Sequence, residues 1–226
     1  MYYYLLLVVP ALLVAMIAQI NVKSTFRRYS RYSTAARITG AQASYMIQKA
    51  NGISVPVQPI GGELTDHYDP TRNSIGLSQP VYGADSISAV GVAAHETGHA
   101  LQYANDYAPI RFRMKLVPIT NFSATISPYL IIAGLIAGLD VLAYAGIALF
   151  SLSVLFQLVT LPVEFNASAR AVQALQASGS FTAEEMAGVR KVLTAAALTY
   201  VAALFVSLMN LLRLILIVAG RGRRND

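Results

Sequence analysis

Four stretches of this chain contain no Asp, Glu, Lys or Arg: residues 1–22, 116–139, 141–163 and 192–212. Each is longer than the roughly 20 apolar residues that cross a hydrocarbon core as a helix. The polar positions fall mainly into residues 23–115 and 164–191. This pattern predicts a multi-pass membrane protein whose chemistry sits in the polar segments. Only Asp140 separates the second and third stretches, so they are expected to form a tight hairpin of spans. The N-terminal Met1-Tyr2-Tyr3-Tyr4 lacks the positive n-region of a secretory signal, and the apolar run is long for an h-region. It reads as a retained anchor with Tyr2–Tyr4 as an aromatic belt and Pro10 as a kink.

Between the spans the periodicities change. Ala35–Lys49 carries Ile38, Ala41, Tyr45, Met46 and Lys49 at helical spacing and should end at Asn51-Gly52. Val55–Ile60 reads as a short strand. Glu63–Tyr68 and Asn73–Ser78 flank the turn-forming Asp69-Pro70-Thr71-Arg72 and predict a β-hairpin. A helix should start near Asp85 or Ser86, both good N-caps, and run to about Ala104. Ile110–Leu116 alternates apolar and basic residues and reads as a lead-in to the second span rather than a strand. Pro162 is expected to open a helix that stops near Gly179. Thr182-x-x-Glu185 forms a capping box for the helix entering the last apolar stretch. Five segments follow: an anchor (1–22), a catalytic part (23–115), a transmembrane hairpin (116–163), a polar helix pair (164–192), and a C-terminal membrane helix with a basic tail (193–226).

Charge sharpens this picture. The formal net charge is +6, which alone would suggest an anionic partner. Yet Lys23, Arg27, Arg28, Arg31 and Arg37 follow the first span, while Arg111, Arg113 and Lys115 precede the second. These are collar positions at a cytoplasmic membrane face. No nucleic-acid recognition motif accompanies them, so nucleic acid is not an expected partner. Cysteine is absent, which excludes disulfides, thiolate zinc sites and cysteine nucleophiles.

The candidate chemistry lies in Ala94-His95-Glu96-Thr97-Gly98-His99-Ala100. The chain has three histidines and places two of them here. On a helix at about 100° per residue, His95 and His99 project about 40° apart, one turn above the other. Two imidazoles so placed can reach one zinc ion, and Glu96 beside them can take a proton from the attacking water. The alternative is a helix whose histidines are merely buried and hydrogen-bonded.

A catalytic zinc needs a third protein ligand and an open position. Candidates are His67, Asp66, Asp69, Asp106, Glu164, Glu184 and Glu185. A segment returning to the face that carries His95 must lie an even number of crossings away, and the two spans before Glu164 satisfy this. In the first turn of its helix, Glu164 would also sit at a positive dipole end. Ser168, Asn166 and Arg170 stand near enough to supply supporting hydrogen bonds. Glu184 and Glu185 are better explained by the capping box. His67 is the rival, as a ligand, as a hydrogen-bond donor to the tetrahedral intermediate, or as a surface residue.

These residues resemble the membrane-bound neutral zinc metallopeptidases of the bacterial YugP type. The resemblance rests on Thr65-Asp66-His67-Tyr68-Asp69-Pro70, on the segment from Val92 to Gln102, on Leu161-Pro162-Val163-Glu164-Phe165-Asn166-Ala167-Ser168, and on Ala195–Val201. More distantly, the arrangement is similar to the HtpX-type membrane proteases and the CaaX prenyl endopeptidases, gluzincin-like enzymes with a Glu-x-x-x-Asp pattern after a pair of spans. The resemblance implies Zn2+ held by His95, His99 and Glu164, with Glu96 as base, in a bacterial cytoplasmic membrane. Ser168 occupies the position of that Asp, and a hydroxyl there supplies no charge.

The expected fold is a mainly α membrane protein, a multi-pass helical bundle with a small α+β zincin-like catalytic part containing a β-hairpin. The expected activity is zinc-dependent endopeptidase hydrolysis of peptide or membrane-protein substrates, with the site at the cytoplasmic face of the bilayer. His67 and Tyr200 are candidates to stabilise the oxyanion; Tyr200 alternatively packs near the membrane interface. Two other classes remain open: a non-proteolytic scaffold with a structural zinc, and an intramembrane protease. If the last stretch spans fully, Arg221, Arg223 and Arg224 end outside, against the charge rule.

Overall fold

The computed structural model describes residues 2–225, and of residues 222–225 the backbone alone. Met1 and the side chains of Arg223 and Arg224 lie outside that description. A π-helical stretch, Tyr4–Val8, leads into α1 (Val9–Tyr29) and α2 (Gly40–Ala50). Three strands follow, β1 (Val57–Ile60), β2 (His67–Asp69) and β3 (Ser74–Ser78). Then come α3 (Gln79–Tyr82), α4 (Ile87–Ala104), α5 (Ala108–Ala137), α6 (Asp140–Ala177) and α7 (Ala183–Asn225). The protein is a mainly α membrane protein. Four of its helices are long and apolar enough to cross a bilayer: Tyr4–Tyr29, Ala108–Ala137, Asp140–Ala177 and Ala183–Arg221. The π-winding directly precedes Pro10, which has no N–H to donate into the ordinary helical ladder.

The chain forms two compact units. The first comprises Met1–Gln19, Arg111–Leu161 and Thr199–Asp226. Its core is Ile131, Ala143, Ile147 and Val218, while Ile136 and Val141 are exposed as a lipid-facing surface requires. Ser127 Oγ donates to the Gly146 carbonyl at 2.8 Å, a hydrogen bond that ties α5 to α6 where water cannot compete. Gly138, with φ +72°, makes the left-handed turn between those helices. Arg221 donates to the Leu135 carbonyl, one of the last carbonyls of α5 that the helix itself leaves unpaired.

The second unit comprises Ile20–Ile110 and Pro162–Leu198. Ser86 caps α4 by accepting from the Ala89 N–H at 3.2 Å. α4 is buried on nearly every side because most of its residues are small: Ala89, Ala93, Ala94, Gly98 and Ala100. One side packs on Ile47, Leu175, Val189 and Leu193, the other on Phe26, Ile75, Leu77 and Val81. Each such side chain contributes about 1.5–3 kcal/mol when buried. The sheet order is β1-β3-β2; β1 pairs parallel to β3 and β2 pairs antiparallel to it, with His67 opposite Gly76. The Asp69 carboxylate accepts from the N–H groups of Thr71 and Arg72 and shapes the hairpin turn.

Two expectations need correction. The helix expected over Ala35–Lys49 begins instead at Gly40, because Thr39 and Gln42 form a reciprocal capping box and Arg37 takes φ +54°. Pro162 does not open a helix. α6 continues through it from Asp140 to Ala177, so the proline leaves only the Leu158 carbonyl without its helical donor. Glu164 is therefore mid-helix, and no helix-dipole argument applies to it. The Thr182–Glu185 capping box forms as expected, and the second Glu185 oxygen accepts from the Ala35 N–H at 2.6 Å.

Candidate metal centre

α4 presents His95 and His99 one turn apart, with ring centroids 4.8 Å apart. α6 brings Glu164 against both. Its Oε2 lies 3.2 Å from His95 Nε2 and 3.5 Å from His99 Nε2. Among the described residues these three are the group able to hold a metal ion, with ligand atoms all within 4.8 Å of one another. Two nitrogens and one oxygen at about 2.0–2.1 Å from a tetrahedral zinc stand about 3.3 Å apart, which matches the separations of 3.2 and 3.5 Å. Glu164 is 2% exposed. A buried carboxylate costs several kcal/mol without a cationic partner, and this one faces two imidazole nitrogens.

The outer ring nitrogens are held in turn. Arg170 Nε can only donate, and it donates to Asn166 Oδ1 at 2.8 Å. That oxygen also accepts from Gln102 Nε2, which donates as well to the Val163 carbonyl at 2.8 Å. The Gln102 amide is thereby oriented, and its Oε1 faces His99 Nδ1 at 3.0 Å. An amide oxygen only accepts, so His99 carries a proton on Nδ1, and release of the Nε2 proton gives the lone pair that binds a metal. His95 Nδ1 meets Ser168 Oγ at 3.1 Å, so the serine stands where it can orient the ring.

Gly98 makes this approach possible. A Cβ there would lie 2.5 Å from the Ala167 carbonyl oxygen, so any side chain would push α6 from α4. Gln102 and Gly98 were not singled out from sequence; the available signal was helical spacing, with Gln102 at i+3 from His99 and i+7 from His95, and Gly98 at i+3 from His95.

Electrostatics favour a cation. Burial alone would lower the His99 pKa, yet its hydrogen bond to Glu164 and the charges of Glu96 and Glu164 raise it above the ordinary imidazole value. Glu96 itself is buried on α4. Asp66 is pushed up by burial, partly offset by donation from the Ser78 N–H and hydroxyl, with the Glu96 charge adding to the rise.

The remaining candidates stand elsewhere. His67 is exposed on β2 with Nδ1 2.9 Å from the Thr65 carbonyl, and it is not part of the His95, His99 and Glu164 group. Asp69 shapes the hairpin turn, Glu185 caps α7 and Asp106 follows the end of α4. Tyr200 lies half-buried on α7, in the membrane-helix unit.

Residues 4–219 match the model of a family described as "Putative neutral zinc metallopeptidase". The chain belongs to this neutral zinc metallopeptidase family. It is 48% identical over 215 residues to "Putative membrane protease YugP" of Bacillus subtilis (strain 168), covering 95% of this chain and 96% of that protein. No solved structure matches it. The donor set of this zinc metallopeptidase family member, two oriented imidazoles and one buried carboxylate, fits zinc.

Proposed function

We propose that this protein is an integral membrane zinc endopeptidase acting at the cytoplasmic face. The observation that carries the proposal is the convergence of His95 Nε2 and His99 Nε2 on one Glu164 oxygen. His95, His99 and Glu164 would hold the zinc. When bound, the metal supplies Lewis acidity that polarises the scissile carbonyl and lets water attack near neutral pH.

The chain's own groups do the rest. Glu96 takes the proton of the attacking water on its carboxylate and returns it to the leaving amine. Gln102 and Ser168 hold the two imidazoles in orientation. β2 is an edge strand of the sheet, and α4 packs against it, a placement that suits an extended peptide adding to the sheet beside α4. His67 on that strand is the proposed hydrogen-bond donor to the tetrahedral intermediate. A structural zinc would have no use for the buried Glu96, which favours hydrolysis over a scaffold role. The basic residues at the end of α1 and the start of α5 support a cytoplasmic site.

The test is peptide cleavage by purified wild-type and Glu96→Gln proteins at equal zinc content. The variant should keep the metal and lose about 10²–10⁴-fold in rate. Wild-type cleavage rates in zinc-loaded Glu96→Gln would remove the base assignment.

A further inference from the structure

Beside the metal centre, α6 and α7 enclose a groove of about 490 Å³. Both walls belong to the same compact unit. Ser168 lines the groove and also meets His95 Nδ1 at 3.1 Å, so the groove and the centre share a residue. The helices are joined by the short turn after Ala177 and run antiparallel, which gives the groove two chemically different ends. Phe165 and Leu198 form the end beside Glu164, and Val172, Leu193 and Ala197 continue an apolar wall. Gln173, Gln176 and Arg190 form the other end. Arg190 is exposed, and among the described residues it makes none of the ion pairs.

An apolar trough closed by one unpaired cation and two amides complements an apolar peptide that ends in a carboxylate. From Phe165 to Gln176 the groove follows about 16 Å of helix at ~1.5 Å per residue. An extended peptide covers that length in about five residues. We propose that the groove holds the substrate's apolar residues on one side of the scissile bond. Arg190 then pairs with a carboxylate, from an acidic side chain or a free C-terminus, about four to six residues from that bond. This assignment rests on the endopeptidase reading above, and it makes Arg190 a specificity-determining residue.

The experiment uses the full-length zinc-loaded protein in lipid nanodiscs and apolar peptides with one fixed scissile bond. Asp, Lys or Gln is placed at successive positions from that bond, and each peptide is made with a free or an amidated C-terminus. At one register the acidic peptide should exceed the basic one about tenfold in kcat/KM. Arg190→Glu should invert that ratio, and Arg190→Lys should restore it, with zinc content unchanged in both. If the terminus is the partner, the preference is instead about tenfold for the free over the amidated peptide; if a side chain is, amidation leaves the acidic preference intact.

Cleavage that ignores both side-chain charge at every register and amidation of the C-terminus would overturn the proposal. So would a preference that survives Arg190→Glu. If the variant instead changes only the response to phosphatidylglycerol against phosphatidylcholine, the groove holds lipid and the proposal falls. Failure of the zinc-loaded wild type to cleave any peptide defeats the endopeptidase reading. In that case, binding of the same labelled peptides decides the groove: carboxylate-selective binding lost in Arg190→Glu upholds it, and charge-blind binding overturns it.

Discussion

The carbonyl oxygen of Ala167 lies 2.5 Å from where a Cβ on Gly98 would stand. This close approach lets α6 deliver Glu164 to the two histidines of α4. Gly98→Ala should therefore separate the helices, costing about 1–3 kcal/mol by overpacking and lowering zinc affinity. Gly91→Ala is the matched control, because its Cβ would meet Val189 at an ordinary 3.5 Å. Thermal melts with zinc titration compare them. Equal zinc binding by both variants would show that the approach is not needed.

Gln102 is buried and links His99 to the Val163 carbonyl and Asn166. Gln102→Leu removes both links, and zinc affinity should fall about 10–100-fold. Gln102→Glu keeps an acceptor for His99 but cannot donate to the Val163 carbonyl. It should lose stability while holding zinc more tightly than the leucine variant. Competition with a chelator, alongside melting temperature, separates the two effects.

Much of the centre was legible because helical geometry is local. His95, Glu96 and His99 on one helix face follow from the 3.6-residue turn, and Ser86 announces the start of that helix. Glu164 followed from counting crossings, although the reason given for its position within a helix was wrong. Pro162 looked like a helix start because proline is common there, but a long membrane helix satisfies its ladder on either side and tolerates one missing donor. Gln102 and Gly98 were hidden because their importance depends on Val163, Asn166 and Ala167, which lie on another helix. Tertiary approach of that kind leaves no periodicity in the sequence. Thr39 displaced the expected start of α2 for a local reason that Thr39-x-x-Gln42 did encode.

Asp85 precedes α4 and pairs with Arg37 at 3.0 Å and with Ser33 at 2.9 Å. The hydrogen bonds from Arg37 and Ser33 hold its carboxyl below the ordinary value of 3.8. A depressed folded pKa contributes stability above the unfolded value and loses it as pH falls through the folded one. Asp85→Asn should lower the melting temperature slightly at neutral pH. The gap from wild type should close below about pH 4. A gap that persists undiminished in acid would point to packing rather than charge.

Orientation can be tested cleanly because the chain has no cysteine. Lys49 is exposed on α2 in the second unit, and Leu139 is exposed in the turn between α5 and α6. A cysteine at Leu139 should react with a membrane-impermeant maleimide on intact cells. One at Lys49 should react only after the membrane is opened. The reverse pattern would place the site outside.

Zinc stoichiometry of purified protein bears most directly on the centre itself. Wild type and Glu96→Gln should each hold one zinc per chain, while His95→Ala, His99→Ala and Glu164→Ala should each lose it with their helical content intact. Full zinc occupancy in folded Glu164→Ala would contradict the account, because the metal would then be held without the α6 carboxylate.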